Sequence, residues 1–146
     1  MVLLPHMTWV VYALLSALFA AATAILGKIG VKDINSNLAT AIRTVVVLVF
    51  AWGIVLGQGL HKQIGSISKV SLLFLVLSGL ATGLSWLFYY RALQIGDASK
   101  VTPIDKLSLV LTIILAGIFL KEKITLPIAF GVTLITIGSY IIAFIK

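Results

Sequence analysis

Five long apolar runs, each parted from the next by a short polar stretch, dominate the chain: about residues 8–27, 38–57, 70–90, 102–120 and 124–145. None alternates with the period of two expected of a barrel strand, and each is about twice the length such a strand needs. A bilayer core ~30 Å thick takes about 20 residues of helix at ~1.5 Å per residue, and backbone in lipid must bond to itself. The pattern predicts an all-α integral membrane protein, a bundle of five transmembrane helices. The polar gaps at 28–37, 58–69, 91–101 and 121–123 are too short to house a soluble domain, so residues 1–146 read as one membrane domain.

Composition agrees with the pattern. The chain is 61% hydrophobic and 10% charged, with a mean hydropathy of +1.20. A soluble domain of this size needs a polar exterior that these residues cannot supply. No Lys or Arg precedes Lys28, so the positive head of a signal peptide is missing and the first run reads as a span. The net charge of +7 does not point to nucleic acid, because the basic residues are scattered among loops at both membrane faces. With no cysteine, and with His6 and His61 at segment ends without ligand spacing, no metal site is expected. Nucleotide loops, Ser–His–Asp patterns and redox motifs are absent from the sequence. The expectation is a protein that is not an enzyme and needs no cofactor.

Side A, the face of the N-terminus, would carry Lys62, Lys69, Lys121 and Lys123. Side B would carry Lys28, Lys32, Arg91, Lys100 and Lys146, with Arg43 and Lys106 nearby. The positive-inside rule favours side B in the cytoplasm by a small margin. A margin this small suits a chain that inserts both ways round.

Charges fall inside two of the spans. Starting the fourth helix after Lys106 would leave Leu107–Leu120, only ~21 Å long and short of the hydrocarbon thickness. The helix is therefore expected to start near Thr102–Pro103, with Thr102 at N-cap, Pro103 at N1 and Asp105 at N3, where an acid suits the helix dipole. Asp105, Ser108 and Thr112 then share one face and form an acid-headed hydroxyl stripe. Lys106 points elsewhere and is expected to anchor at the interface. Arg43, early in span two, is the second intramembrane charge; it is expected to pair with Asp105 or to reach the same cavity.

Other polar residues form stripes: Thr8, Tyr12, Ser16 and Thr23 in span one; Ser78, Thr82, Ser85 and Tyr89 in span three; Thr133, Thr136 and Tyr140 in span five. Taken one at a time, such hydroxyls bond their own helix or pack between helices; as a set they outline a wet cavity. Gly53–Gly57 and Gly79–Gly83 are GxxxG pairs that permit close helix approach within or between subunits. Trp86, Tyr89, Tyr90 and Arg91 close span three where an aromatic belt is expected.

The order of "YYRAL" at the end of span three, "A-S-x-V-x-P" after it and "FLKEKIT" between the last two spans resembles the EamA domain of the drug/metabolite transporter superfamily. Lys28 closing span one and Arg43 early in span two fit as well, and the resemblance runs from Met7 onward. Larger members carry two such five-helix repeats in inverted orientation, so the resemblance implies that this single repeat pairs with a second copy, antiparallel to it. It implies a small secondary transporter of a metabolite or drug-like solute, working by alternating access in a multi-pass prokaryotic cell-membrane protein. The cavity candidates are Arg43, Thr82, Ser85, Trp86, Tyr89, Asp105, Ser108 and Thr112. Lys28, Arg43 and Lys106 outnumber Asp105 near side B, which leans the cargo toward anions or zwitterions. Two other readings use the same residues: a non-transporting membrane subunit that assembles with or regulates another protein, and a flippase for a lipid-linked substrate.

Overall fold

A computed structural model describes residues 5–145, with side chains from residue 9 onward. Thr8, His6 and Lys146 thus lie outside the side chains described. All regular structure among the described residues is helical: α1 (Pro5–Gly30), α2 (Ser36–Gly57), a 3₁₀ segment (Leu60–Ser66), α3 (Lys69–Ile95), α4 (Ala98–Asp105), α5 (Ser108–Phe119) and α6 (Leu126–Phe144). With α4 and α5 counted as one span, five helices are long and apolar enough to cross a membrane. Each of the five expected spans is present. The chain divides into two compact units, residues 27–94 and residues 1–26 with 95–146, and the dividing line runs through α1 itself.

In the unit of residues 27–94, α1 ends in a short linker that leads into α2. Asn35 caps α2 from an extended backbone, its side chain accepting the Asn37 N–H at 2.8 Å. That capping satisfies one of the amides a helix start leaves unbonded. Thr40 and Thr44 donate back to the carbonyls of Ser36 and Thr40, which frees these buried or half-buried hydroxyls from needing other partners. The far end of α2 turns at Gly59, whose φ of 70° lies in the left-handed region where glycine carries no steric penalty. Ser68 then opens α3 by accepting the Ser71 N–H at 3.0 Å.

The end of α3 is tied back onto the α1–α2 linker. Lys28 Nζ donates to the Leu93 carbonyl at 2.7 Å. The Gln94 amide donates to the carbonyls of Ile34 at 2.7 Å and Val31 at 3.2 Å, and its oxygen accepts from Arg91 at 2.8 Å. Val31 and Leu93 are sealed beneath these bonds with no accessible surface. Tyr90, also buried, lies against Gly27, where a Cβ would come within 3.0 Å of its hydroxyl oxygen.

In the other unit, α4 packs along α6. Between α5 and α6 the chain turns at Lys121, a non-glycine residue at φ 56°, and the Glu122 N–H returns to the Ala116 carbonyl at 3.3 Å.

The fourth span departs from the sequence-based expectation. It starts at Ala98 after Asp97, not at Thr102–Pro103, and Pro103 lies inside α4 rather than at N1. Gly96 and Asp97 break the preceding helix, and the four extra residues give a span of 22, or ~33 Å. Asp105 is therefore not an N3 cap. It ends α4, and Lys106 follows it.

At that point the helix tightens into a 3₁₀ turn, with Leu107, Leu109 and Val110 donating to Ile104, Lys106 and Leu107, all at 3.0 Å. The tightening sits close to the middle of the span. The proline supplies a reason: it has no N–H, and its ring crowds the carbonyl four residues earlier, so the regular ladder is already interrupted on the turn before.

Candidate functional site

The unit of residues 27–94 holds an aromatic seat for a buried cation. Arg43 is the eighth residue of α2, ~10 Å along the axis from its start. Its guanidinium lies 3.9 Å from the ring centroid of Trp86 and 5.5 Å from that of Tyr90, both on α3. Trp86 and Tyr90 are four residues apart and so share one helix face, and Tyr89 meets Tyr90 edge-on at 6.2 Å. The aromatic belt of the sequence reading is thus, at Trp86 and Tyr90, a binding surface for an arginine.

The energetics leave this cation incompletely compensated. A charge deep in a span costs about 2.5–3.5 kcal/mol on insertion scales. A desolvated cation–π contact returns about 2 kcal/mol. Arg43 Nη1 is enclosed and finds no hydrogen-bond acceptor among the described residues. A charged donor without an acceptor in a dry setting is costly, so the site favours any group that supplies one.

Asp105 and Lys106 belong to the other unit. Their ion pair is long, 3.8 Å, and both side chains keep part of their surface open, 36% for Asp105 and 56% for Lys106. Across a 3₁₀ turn residues three apart eclipse, so Asp105 and Ser108 stand one above the other at mid-span. Thr112 extends the stripe, with its hydroxyl donating to the Ser108 carbonyl at 2.8 Å. Arg43 and Asp105, expected to pair, belong to different units.

Thr82, Ser85 and Tyr89 lie along α3; the first two are exposed and Tyr89 is half-buried. Thr82, Thr133 and Thr136 each donate to the carbonyl four residues back, at 2.9 Å. A threonine bonded this way has spent its donor and presents only lone pairs. The threonine stripes are therefore rows of acceptors.

Gly53, Gly57, Gly79 and Gly83 have nothing within 4 Å of where a Cβ would stand. Close approach of helices within this chain is not made at these glycines.

Sequence reasoning missed the tie at the end of α3. Lys28, Ile29, Val31, Lys32, Leu93 and Gln94 line an open cavity of about 440 Å³ there. The signal available was modest: a glutamine directly after "YYRAL", next to a linker with five residues whose carbonyls need donors. The pairing of Arg43 with Trp86 had no local signal beyond the four-residue spacing of Trp86 and Tyr90.

Five apolar spans, with a cation seated inside one and an acid at the middle of another, define an integral multi-pass membrane protein. A model of the EamA-like transporter family matches residues 7–144. The chain belongs to that family. It is 49% identical over 136 residues to an uncharacterized transporter in the cobO 3′ region of Sinorhizobium sp, a match covering 93% of this chain and 96% of that one. A second relative, an uncharacterized protein of Methanocaldococcus jannaschii, is 32% identical over 83 residues, 57% of this chain and 61% of its own length. No solved structure matches the chain.

Proposed function

We propose that the protein is a small secondary transporter of a metabolite or drug-like solute, working by alternating access as an antiparallel, dual-topology homodimer in a prokaryotic cell membrane. The observation that carries the reading is the fourth span, whose helix tightens at mid-depth around Asp105. Interrupted helices at the bilayer midplane, in repeats related by inversion, are a general way to build a substrate site between two halves. Family membership supports transport, and the near balance of Lys and Arg between sides supports insertion in both orientations. The Sinorhizobium relative, similar over nearly its full length, is itself named a transporter.

A single repeat has no symmetric counterpart to rock against, so the second copy supplies it. The open GxxxG faces at Gly53–Gly57 and Gly79–Gly83 suit the approach of that copy. The residues proposed to meet the cargo are Arg43, Thr82, Ser85, Trp86 and Tyr89 in one unit and Asp105, Ser108 and Thr112 in the other.

Topology is the first test. Reporters placed in the Lys121–Lys123 loop and at the C-terminus report two populations of orientation if the dimer is antiparallel. One fixed orientation rules that dimer out. Proteoliposome flux then tests transport, and a purified homodimer that moves no solute under any imposed ion gradient refutes it.

A further inference from the structure

Arg43 sits deep in α2 with its guanidinium against Trp86 and near Tyr90, and one of its terminal nitrogens is enclosed without an acceptor. The aromatic faces attract the positive charge but cannot accept its N–H bonds in the plane of the group. The rings therefore hold the charge and leave its N–H groups to something else. The residue as a whole keeps part of its surface open, and the enclosed Nη1 becomes reachable when the guanidinium moves off the ring.

The group that fits a planar fork of donors is a carboxylate or a phosphate, which accepts two parallel N–H bonds at once. The surrounding faces suit its apolar body: Trp86 and Tyr89 are half-buried on α3, and Ser85, next to Trp86, is exposed. Among the described residues no carboxylate pairs with Arg43, and Asp105 has Lys106 as its ion-pair partner.

We infer that Arg43 is an anion receptor, and that the ligand of this site carries a carboxylate or phosphate which Arg43 binds while its body rests against Trp86. Taking this ligand to be the cargo rests on the transporter reading above. Two sources share the chemistry: a small organic anion from water, or the phosphate of a lipid headgroup. Binding draws the guanidinium off the Trp86 ring, so the indole itself reports occupancy.

The test uses the full chain in nanodiscs, with Trp9→Phe and Trp52→Phe so that Trp86 alone emits. Acetate, benzoate and inorganic phosphate are titrated at constant chloride, with choline as the cationic control. The expected result is a saturable change in Trp86 emission with at least one anion and none with choline. Arg43→Lys keeps the charge but loses the fork, and is expected to weaken the apparent affinity by about tenfold or more. Arg43→Gln abolishes the response; should that variant fail to insert, Arg43→Lys decides alone.

No saturable response to any anion, or a response that Arg43→Lys leaves unchanged, overturns the inference. So does a response that emerges only in Asp105→Asn, because the position is then filled by the chain's own carboxylate. Discs of phosphatidylcholine with and without phosphatidylglycerol separate the sources. An Arg43-dependent shift on adding the anionic lipid alone assigns the headgroup, and solute titration in the neutral lipid assigns the free anion. Flux that is indifferent to Arg43→Lys removes this inference and leaves transport standing. Anion binding without flux does the reverse.

Discussion

Replacing Gly27 with alanine adds one methyl group where α1 meets the buried ring of Tyr90. The new Cβ would stand 3.0 Å from the tyrosine oxygen and 3.2 Å from Cζ, both tighter than ordinary carbon contacts. Tyr90 is 5% exposed, so its ring has little room to retreat. Two effects oppose each other. Alanine is favoured over glycine inside a helix by about 1 kcal/mol, and overpacking a filled site costs about 1–3 kcal/mol. The clash wins, and the variant is expected to lose ~1 kcal/mol net.

Tyr90→Phe removes the atom in closest contact and leaves the ring. In that background Gly27→Ala meets only the 3.2 Å contact and recovers most of the helix-propensity gain. The double-mutant cycle should therefore show a favourable coupling of about 1 kcal/mol. The assay is loss of helical circular dichroism as the mole fraction of sodium dodecyl sulfate rises in mixed micelles. If Gly27→Ala is stabilising on its own, or the two changes add to within ~0.3 kcal/mol, the packing described at this point is wrong.

Gln94→Leu removes two donors to the α1–α2 linker and the acceptor of Arg91, and is expected to cost about 1–3 kcal/mol. Amide exchange should quicken at residues 31–35 more than in the middle of α2; uniform quickening would count against a local tie. Lys121→Gly relieves a left-handed backbone and should stabilise by about 1 kcal/mol in the same detergent titration, whereas a loss there would show the strain is absent. Thr112→Val removes a hydroxyl that serves its own helix on an exposed face, so stability should change by less than about 0.5 kcal/mol. Measured next to flux, it separates a structural hydroxyl from one that faces cargo: unchanged stability with reduced flux places Thr112 in the path.

The five spans were legible because hydropathy and length are properties of a segment by itself. Their edges followed where a breaker is local, as at Gly57, and slipped where two candidate breakers compete. Pro103 looks like a helix start, but Gly96–Asp97 lies nearly two turns upstream and ends α3 first. The proline was then left inside α4, and the reading of Asp105 as a cap fell with it. Arg43 could be singled out as costly in lipid, since that follows from its charge and depth. Its seat on Trp86 could not be read, because residues 43 and 86 come together only in the folded chain. The threonine back-bonds, in contrast, were an open alternative in the sequence and are made at Thr82, Thr112, Thr133 and Thr136.

The tie between the end of α3 and the α1–α2 linker is made almost wholly of side-chain donors meeting main-chain acceptors. Lys28 bonds the Leu93 carbonyl, and Gln94 bonds those of Val31 and Ile34. A carbonyl is present whatever residue carries it. The information that closes this end of the unit is therefore held by the two donors, and the Leu93, Val31 and Ile34 side chains answer only to packing. In a saturation-mutagenesis screen that asymmetry becomes a pattern of tolerance. Apolar exchanges at Ile34, which is 38% exposed, should pass freely, while Lys28 and Gln94 should accept few replacements. A linker written this way can drift in sequence and keep its shape.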